Sequence, residues 1–395
     1  MSLQNTPSSE RVHISLFGNR NAGKSSLINA LTGQDLAIVS EIKGTTTDPV
    51  QKAMELLPLG PVVIIDTPGL NDTGEIGALR VKKTYQVLNK TDIALLVVDI
   101  NTGFQEAELE ILELIKEKEI PYLVVYNKSD LKDEAPKTLI NPSLVVSAKT
   151  GDGIEELKNA LGALAPALEK DNVIAADLVT PGDLVLLVVP IDSAAPKGRL
   201  ILPQQQTIRD LLDHGNLVTI VKEDALESAL TSQAPALIIT DSQVFGTVSR
   251  INNRRFPLTS FSILFARYKG DLEPLWEGAK ALDSLTANSK ILISEGCTHH
   301  RQCDDIGTVK LPRWLKEYTK EDLTLSFTSG SEFPQNLNEY DLIIHCGGCM
   351  LNEKEMKYRI AKAQAANVPI TNYGMAIAQM KGILAESLAP LAKQK

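Results

Sequence analysis

"GNRNAGKS", residues 18–25, is the stretch that decides the fold of the first part of this chain. It stands between the apolar run "VHISLF" (12–17) and the helix-forming "KSSLINALTG" (24–33). In that setting G-x-x-x-x-G-K-[ST] forms a turn whose glycines let backbone N–H groups close around phosphates. The helix that follows adds roughly half a positive charge at its N-terminus. Phosphate contacts are therefore expected from Gly18, Asn19, Asn21, Ala22, Gly23, Lys24, Ser25 and Ser26. Lys24 is placed to reach the β- and γ-phosphates, and Ser25 to ligate Mg²⁺.

Three more stretches follow in a consistent order. "DTPG" (66–69) ends the strand-like "VVIID"; Asp66 is expected to hold Mg²⁺ and Gly69 to offer its N–H to the γ-phosphate. "NKSD" (127–130) ends another apolar run, with Asn127, Lys128 and Asp130 as base-site residues. A carboxylate at Asp130 accepts both hydrogens from guanine N1 and N2, a pair that adenine does not offer. "SAK" (Ser147, Ala148, Lys149) backs the base. Ordinary turns do not supply four such matches at strand ends in this order.

These stretches resemble the Era/MnmE branch of translation-factor-like GTPases. The resemblance implies a Ras/Era-like P-loop fold that binds GTP and GDP. It implies that "GTTTD" (44–48) is the first switch, with Thr46 on Mg²⁺; Thr47 stands where the branch usually carries arginine. Asn21 occupies the position at which potassium-dependent members place a K⁺ ligand. A K⁺ there neutralises charge that develops on the phosphates. Leu70 follows "DTPG" where Ras-type enzymes carry a water-orienting glutamine, so slow intrinsic turnover is expected. Glu75 is the candidate for positioning water. Lys24, Thr46, Gly69 and Glu75 are the candidate catalytic groups.

With 395 residues the chain exceeds what one hydrophobic core serves. Apolar strands alternate with helical patterns throughout. The expected fold class is α/β with three domains, each built on a largely parallel sheet with helices on both faces. The expected divisions are 1–170 for the GTPase, 171–265 for a middle domain, and 266–395 for a third. No apolar run approaches the roughly 20 residues needed to span a bilayer, and no leader pattern opens the chain, so a cytoplasmic protein with no membrane partner is expected. A net charge of −9 disfavours a nucleic-acid backbone as main partner.

All four cysteines, Cys297, Cys303, Cys346 and Cys349, fall in the last hundred residues, with His299, His300 and His345. "KILISEGC" and "YDLIIHC" read as strands ending at Cys297 and Cys346. In an open parallel sheet, ligands bind beyond the carboxyl ends of the strands. Clustered Cys and His in a cytoplasmic chain point to metal before disulfide. On residue types alone, an iron–sulfur cluster and a structural zinc stand equal.

Cys297-Thr298-His299, a long gap, then His345-Cys346-x-x-Cys349, placed after an Era-like GTPase, resembles the [FeFe]-hydrogenase maturation GTPases, the HydF family. The similarity runs over essentially the whole chain. It implies that Cys297, Cys346 and Cys349 bind a [4Fe–4S] cluster whose fourth iron position is exchangeable. His299, His345, His300, Cys303 or an exogenous group remain open for that position. It implies a homodimer through 171–265 and a scaffold role. The chain would receive a transient di-iron precursor made with the radical-SAM maturases HydE and HydG, then pass it to apo-[FeFe]-hydrogenase. C-x-x-x-C-x-x-C, the radical-SAM signature, is absent. The rival expectation is an Era/MnmE-like GTPase of RNA or ribosome maturation with a structural zinc domain.

Overall fold

The computed structural model describes residues 6–33, 50–70, 82–131, 139–164, 173–191, 200–296, 305–330, 332–348 and 350–392. Two compact units divide the chain, Met1–Lys170 and Asp171–Lys395. Among the described residues, no helix is long and apolar enough to cross a membrane.

The first unit holds one six-stranded sheet of β1 (Val12–Phe17), β2 (Val50–Leu56), β3 (Gly60–Asp66), β4 (Ile93–Asp99), β5 (Tyr122–Asn127) and β6 (Ser143–Val145). The order is β2-β3-β1-β4-β5-β6, and every pairing is parallel except that of β2 with β3. Strand periodicity sends alternate side chains to opposite faces. Ile14, Leu16, Leu95 and Val97 pack into one core layer with Leu27 and Leu157 of the helices Lys24–Thr32 and Ile154–Leu164. Phe17, Ala94, Leu96 and Val98 pack into the other with Ile111 and Ile115 of the helix Glu106–Glu117. Covered on both faces, β4 is buried along almost its full length, which is why "IALLVVD" reads as an unbroken apolar run. The edge strand β2 was not expected. Its sequence "VQKAMEL" carries Lys52 and Glu55 and is largely exposed, so it lacks the buried-strand signal.

The second unit holds two four-stranded parallel sheets. One contains β7 (Leu184–Val188), β8 (Leu217–Val221), β9 (Leu237–Thr240) and β10 (Leu258–Ser260) in the order β10-β9-β7-β8. The other contains β11 (Lys290–Ser294), β12 (Thr324–Thr328), β13 (Leu342–His345) and β14 (Ile370–Asn372) in the order β12-β11-β13-β14. Numbered within each sheet, both run 2-1-3-4. Their inner faces share one core: Leu186, Val188 and Ile238 meet it from one sheet, Leu292, Ile343 and Ile370 from the other. Ile263, Ala266 and Met375, on the helices Phe261–Lys269 and Tyr373–Met380, fill the space between. The helix Leu272–Lys280 lies so close to β14 that a Cβ on Gly278 would strike the Ile370 carbonyl.

The expected boundary between 265 and 266 falls inside the helix Phe261–Lys269, most of whose side chains are buried. The helices Phe245–Asn252 and Leu311–Thr319 and the short strand β10 also went unread in the sequence.

Candidate functional site

The nucleotide site gathers at the carboxyl ends of β1, β3 and β5. Gly23, the N-cap of the helix Lys24–Thr32, has φ +92°, and a Cβ there would strike the Asn127 side chain. Gly18 lies so close to β4 that a Cβ would meet the Val97 carbonyl. Both positions therefore require glycine. Lys24 Nζ donates to the carbonyls of Gly18 at 2.8 Å and Asn19 at 3.0 Å, which holds the ammonium inside the turn. The Leu70 amide donates to Gly18 O at 3.3 Å and draws the "DTPG" segment against the same turn. A Cβ on Gly69 would lie 2.8 Å from the Arg20 nitrogen.

Ser25 Oγ donates to Asp66 Oδ2 at 2.7 Å, so the two expected Mg²⁺ ligands are neighbours. The other carboxylate oxygen, Asp66 Oδ1, is buried with no hydrogen-bond partner among the described residues. A buried, unpartnered oxygen beside a hydroxyl is the donor set a hard cation needs. Burial raises the Asp66 pKa, against the opposing Ser25 hydrogen bond and the Lys24 charge.

The base-recognition loops are held by side-chain bonds. Asn127 Nδ2 donates to Ala22 O at 3.0 Å, and its Oδ1 accepts from the Ala148 amide at 3.0 Å. One buried amide thus ties the phosphate turn to the "SAK" loop. Ser147 Oγ donates to Asp130 Oδ1 at 2.7 Å, and Lys149 Nζ stands 3.8 Å from Asp130 Oδ2. Ser26 stands in the first turn of the helix Lys24–Thr32 and is exposed. Asn21 has φ +65°, in the left-handed region where asparagine is tolerated. Leu70 is buried in the core, so its side chain does not reach water.

Two carboxylates escaped the sequence reading. Asp99, at the end of β4, receives Lys128 Nζ at 2.7 Å. Burial pushes its pKa up, but the bonds from Lys128 and Asn101 win and hold it below the ordinary value. Glu108, almost fully buried, accepts from the Asn19 amide at 3.2 Å and the Gln105 amide at 2.9 Å. The Gln105-to-Glu108 capping spacing was the available signal for Glu108. Thr46 and Glu75 lie outside the described residues.

In the second unit β11 and β13 are adjacent, with Ser294 opposite His345. The strand order reverses between them, which opens a crevice at their carboxyl ends. The Cys346 amide donates to Ser294 O at 2.9 Å. Cys346 Sγ accepts from the Gly296 amide at 3.0 Å and from the Gly348 amide at 3.4 Å. Two amides aimed at one sulfur favour the thiolate, the form that binds metal. Gly348 has φ +62°, and a Cβ there would lie 2.7 Å from Met356 Sδ, so the turn requires glycine. Lys269 Nζ, from the helix that follows β10, donates to Gly348 O at 3.3 Å and Leu351 O at 3.0 Å. Tyr373 donates to Glu295 Oε1 at 3.3 Å; burial, then the nearby Cys346 and Glu295, push its pKa far up.

His345 is fully buried at the end of β13. Its Nδ1 lies 2.7 Å from Cys346 O and its Nε2 lies 2.9 Å from an Arg359 nitrogen. Desolvation, with Arg359 adding to it, pushes its pKa down to about 3, so the ring is neutral. Cys297, His299, His300, Cys303 and Cys349 lie outside the described residues. Among the described residues, no group of three His, Cys, Asp or Glu side chains converges on a metal position.

Comparison with known proteins extends this picture. Residues 13–128 match a family model described as a 50S ribosome-binding GTPase. Residues 174–270 match the hydrogen maturase F dimerization domain, and residues 273–390 the hydrogen maturase F tetramerization domain. The tRNA modification GTPase MnmE of Nitrosomonas europaea is 38% identical over 156 residues, 38% of this chain and 34% of that protein. MnmE of Legionella pneumophila (strain Corby) is 42% identical over 154 residues, again 38% and 34%. The chain thus spans about a third of the length of these curated relatives. Among solved structures, Aquifex aeolicus Era bound to GDP·AlF₄⁻ matches at 19% identity over 60% of this chain and 97% of its own, TM-score 0.35. The G domain of T. maritima FeoB matches at 27% identity over 40% of this chain and 99% of its own, TM-score 0.31. A domain that matches a GTPase family is followed here by two successive hydrogen maturase F domains, and the chain therefore belongs to the hydrogen maturase F (HydF) family of hydrogenase-maturation GTPases.

Proposed function

We propose that this protein is a GTP-hydrolysing scaffold that carries an iron–sulfur cluster and delivers a di-iron fragment to apo-[FeFe]-hydrogenase. The observation that carries the reading is Cys346. Its sulfur accepts two backbone amides in the crevice between β11 and β13. Cys297 follows β11 closely in sequence and Cys349 belongs to the same "CGGC" run as Cys346. The three thiolates would hold a [4Fe–4S] cluster, which suits soft sulfur ligands. When bound, it supplies an iron with an exchangeable position at which a metal fragment can be held. The chain's own part is to fix the Cys346 thiolate, through the Gly296 and Gly348 amides and the Lys269 grip on the turn. HydE and HydG are the proposed donors of the di-iron cargo. A homodimer through the 174–270 domain is proposed as the carrier, with the divisions 1–170, 171–265 and 266–395 as its functional modules.

In the GTPase, Ser25, Asp66 and Thr46 would hold Mg²⁺. Lys24 and the Gly69 amide would meet the γ-phosphate, Asp130 would read guanine, and Glu75 would position water. Asn21 would ligate a K⁺ beside the phosphates. GTP turnover in KCl and NaCl at matched ionic strength tests this; faster turnover in KCl that Asn21→Ala removes is expected, and equal rates would sink it.

Anaerobic addition of ferrous iron and sulfide to the full chain, followed by EPR of the reduced protein, tests the scaffold. A [4Fe–4S]⁺ signal altered by added imidazole is expected. Tight zinc with no iron uptake would instead support the RNA-maturation rival.

A further inference from the structure

Arg359, on the helix Glu353–Ala365, is the largest of the fully buried side chains. Its guanidinium reaches four elements. Nε donates to Glu355 Oε1 at 2.9 Å on its own helix, and one terminal nitrogen to Gly330 O at 2.8 Å after β12. The other terminal nitrogen meets Ser294 Oγ at 3.4 Å at the end of β11 and His345 Nε2 at 2.9 Å at the end of β13. Its Cζ lies 5.1 Å from the centroid of the Phe333 ring. A buried guanidinium is tolerated only when its charge and donors are met, and Glu355 with three further acceptors meets them.

The His345 tautomer follows. Arg359 can only donate, so Nε2 must carry a lone pair. Nδ1 then carries the proton and donates to Cys346 O. A metal-bound histidine donates one ring N–H to an outer acceptor and directs the other nitrogen at the metal. In His345 the nitrogen that would face iron faces a cation instead. The carbonyl it holds belongs to the cysteine whose sulfur receives two amides.

We propose that His345 and Arg359 are positioning residues of the cysteine turn: His345 holds the Cys346 carbonyl, Arg359 holds His345, and neither is an iron ligand. This rests on the reading of Cys346 as a cluster ligand. One guanidinium bonds groups at the ends of β11, β12 and β13, adding to the strand pairing and to the bonds of the Thr328 hydroxyl and the Cys346 amide to Ser294.

The test compares wild type with His345→Gln, His345→Leu and Arg359→Lys, each full-length and loaded anaerobically with ferrous iron and sulfide. Gln places an oxygen near the Nε2 position and keeps an acceptor for Arg359, but offers iron no imidazole. The readouts are the rate of iron loss to a chelator, and pulsed EPR of the reduced protein with ¹⁴N- or ¹⁵N-histidine. No directly bound histidine nitrogen that disappears in His345→Gln is expected; because Gln has no counterpart of the Nδ1–H that holds the Cys346 carbonyl, iron retention in that variant should fall below wild type. His345→Leu and Arg359→Lys should retain iron about 10- to 100-fold more weakly. A nitrogen coupling lost in His345→Gln, or wild-type retention in Arg359→Lys, overturns the proposal. Should Arg359→Lys not fold, by circular dichroism, the His345→Gln spectrum decides. If wild type takes up no iron, the cluster reading itself fails and this role falls with it; iron uptake with a His345 coupling sinks the positioning role alone.

Discussion

The two four-stranded sheets of the second unit share a strand order and a register but not an endpoint. Val188 pairs with Val221 and Thr240 in one sheet, and Ser294 pairs with Thr328 and His345 in the other. Ser260 and Asn372 occupy matching positions, and each caps the helix that follows it. Both sheets therefore open a crevice at the same topological point. The first ends there in Val189-Pro190-Ile191 and Asp241-Ser242, with Ser242 Oγ bonded to Ser262 Oγ at 2.9 Å. The second ends in Glu295-Gly296 and Cys346-Gly347-Gly348, where amides converge on sulfur. The fold supplies the crevice twice, and among the described residues the second alone carries a sulfur there.

The largest expected effect breaks this pair apart. Cys346→Ser should abolish iron uptake, because a hydroxyl is a poor ligand for iron where a thiolate is a good one. Ser242→Ala, at the corresponding crevice, should leave uptake unchanged. Iron and sulfide per chain after anaerobic loading measure both, and GTP turnover should survive both. Equal iron content in the two variants would show that the crevices are not distinguished as described.

The nucleotide site sharpens the contrast, because its proposed base selectivity rests on one carboxylate, Asp130, already held by Ser147. Asp130→Asn puts an amide donor where guanine offers donors. GTP binding should weaken by about 1–3 kcal/mol, and xanthosine triphosphate should become the better substrate. Competition binding with the two nucleotides checks this, and an unchanged order of preference contradicts it.

A glycine-to-alanine pair probes packing in the second unit. Gly278→Ala should cost about 1–3 kcal/mol, since its Cβ meets the Ile370 carbonyl. Gly246, in the helix Phe245–Asn252, faces open space, and Gly246→Ala should gain about 0.5–1 kcal/mol. Denaturant unfolding of the second-unit transition should show opposite signs.

The smallest effect compares the matching caps. Ser260→Ala loses one bond to the Ile263 amide and should cost about 1 kcal/mol. Asn372→Ala loses the bond to the Met375 amide and also that from Nδ2 to Ser262 O, which links the end of β14 to the helix that follows β10. It should cost about 1 kcal/mol more. Equal losses on unfolding would mean that this second bond contributes nothing measurable.

Legibility in the sequence tracked how local each feature is. Gly18 through Ser25, Asp66 through Gly69, and Asn127 through Asp130 are contiguous runs, because backbone loops that cradle a ligand are built from consecutive residues. The buried strands β4, β5, β9 and β13 announced themselves as apolar runs. β2 did not, because an exposed edge strand need not be apolar. The division at 265/266 falls within the helix Phe261–Lys269, which a sequence reading does not mark because most of its side chains are buried. His345 stands beside Cys346 in "IIHCGGC", and nothing in that run reveals where a ring nitrogen points.

Sequence alone determined the GTPase motifs, the α/β class and the family, since each rests on residue types in short runs and on the order of those runs. Tertiary structure alone decided which side chains sit together across long separations. Arg359 meets Ser294, Gly330 and His345 from three other elements, and Lys269 reaches from the helix after β10 to the cysteine turn. A lone arginine or lysine in a sequence is most often a solvated surface charge. Only the folding of three strand ends around one buried guanidinium turns Arg359 into a residue that ties them to the helix Glu353–Ala365.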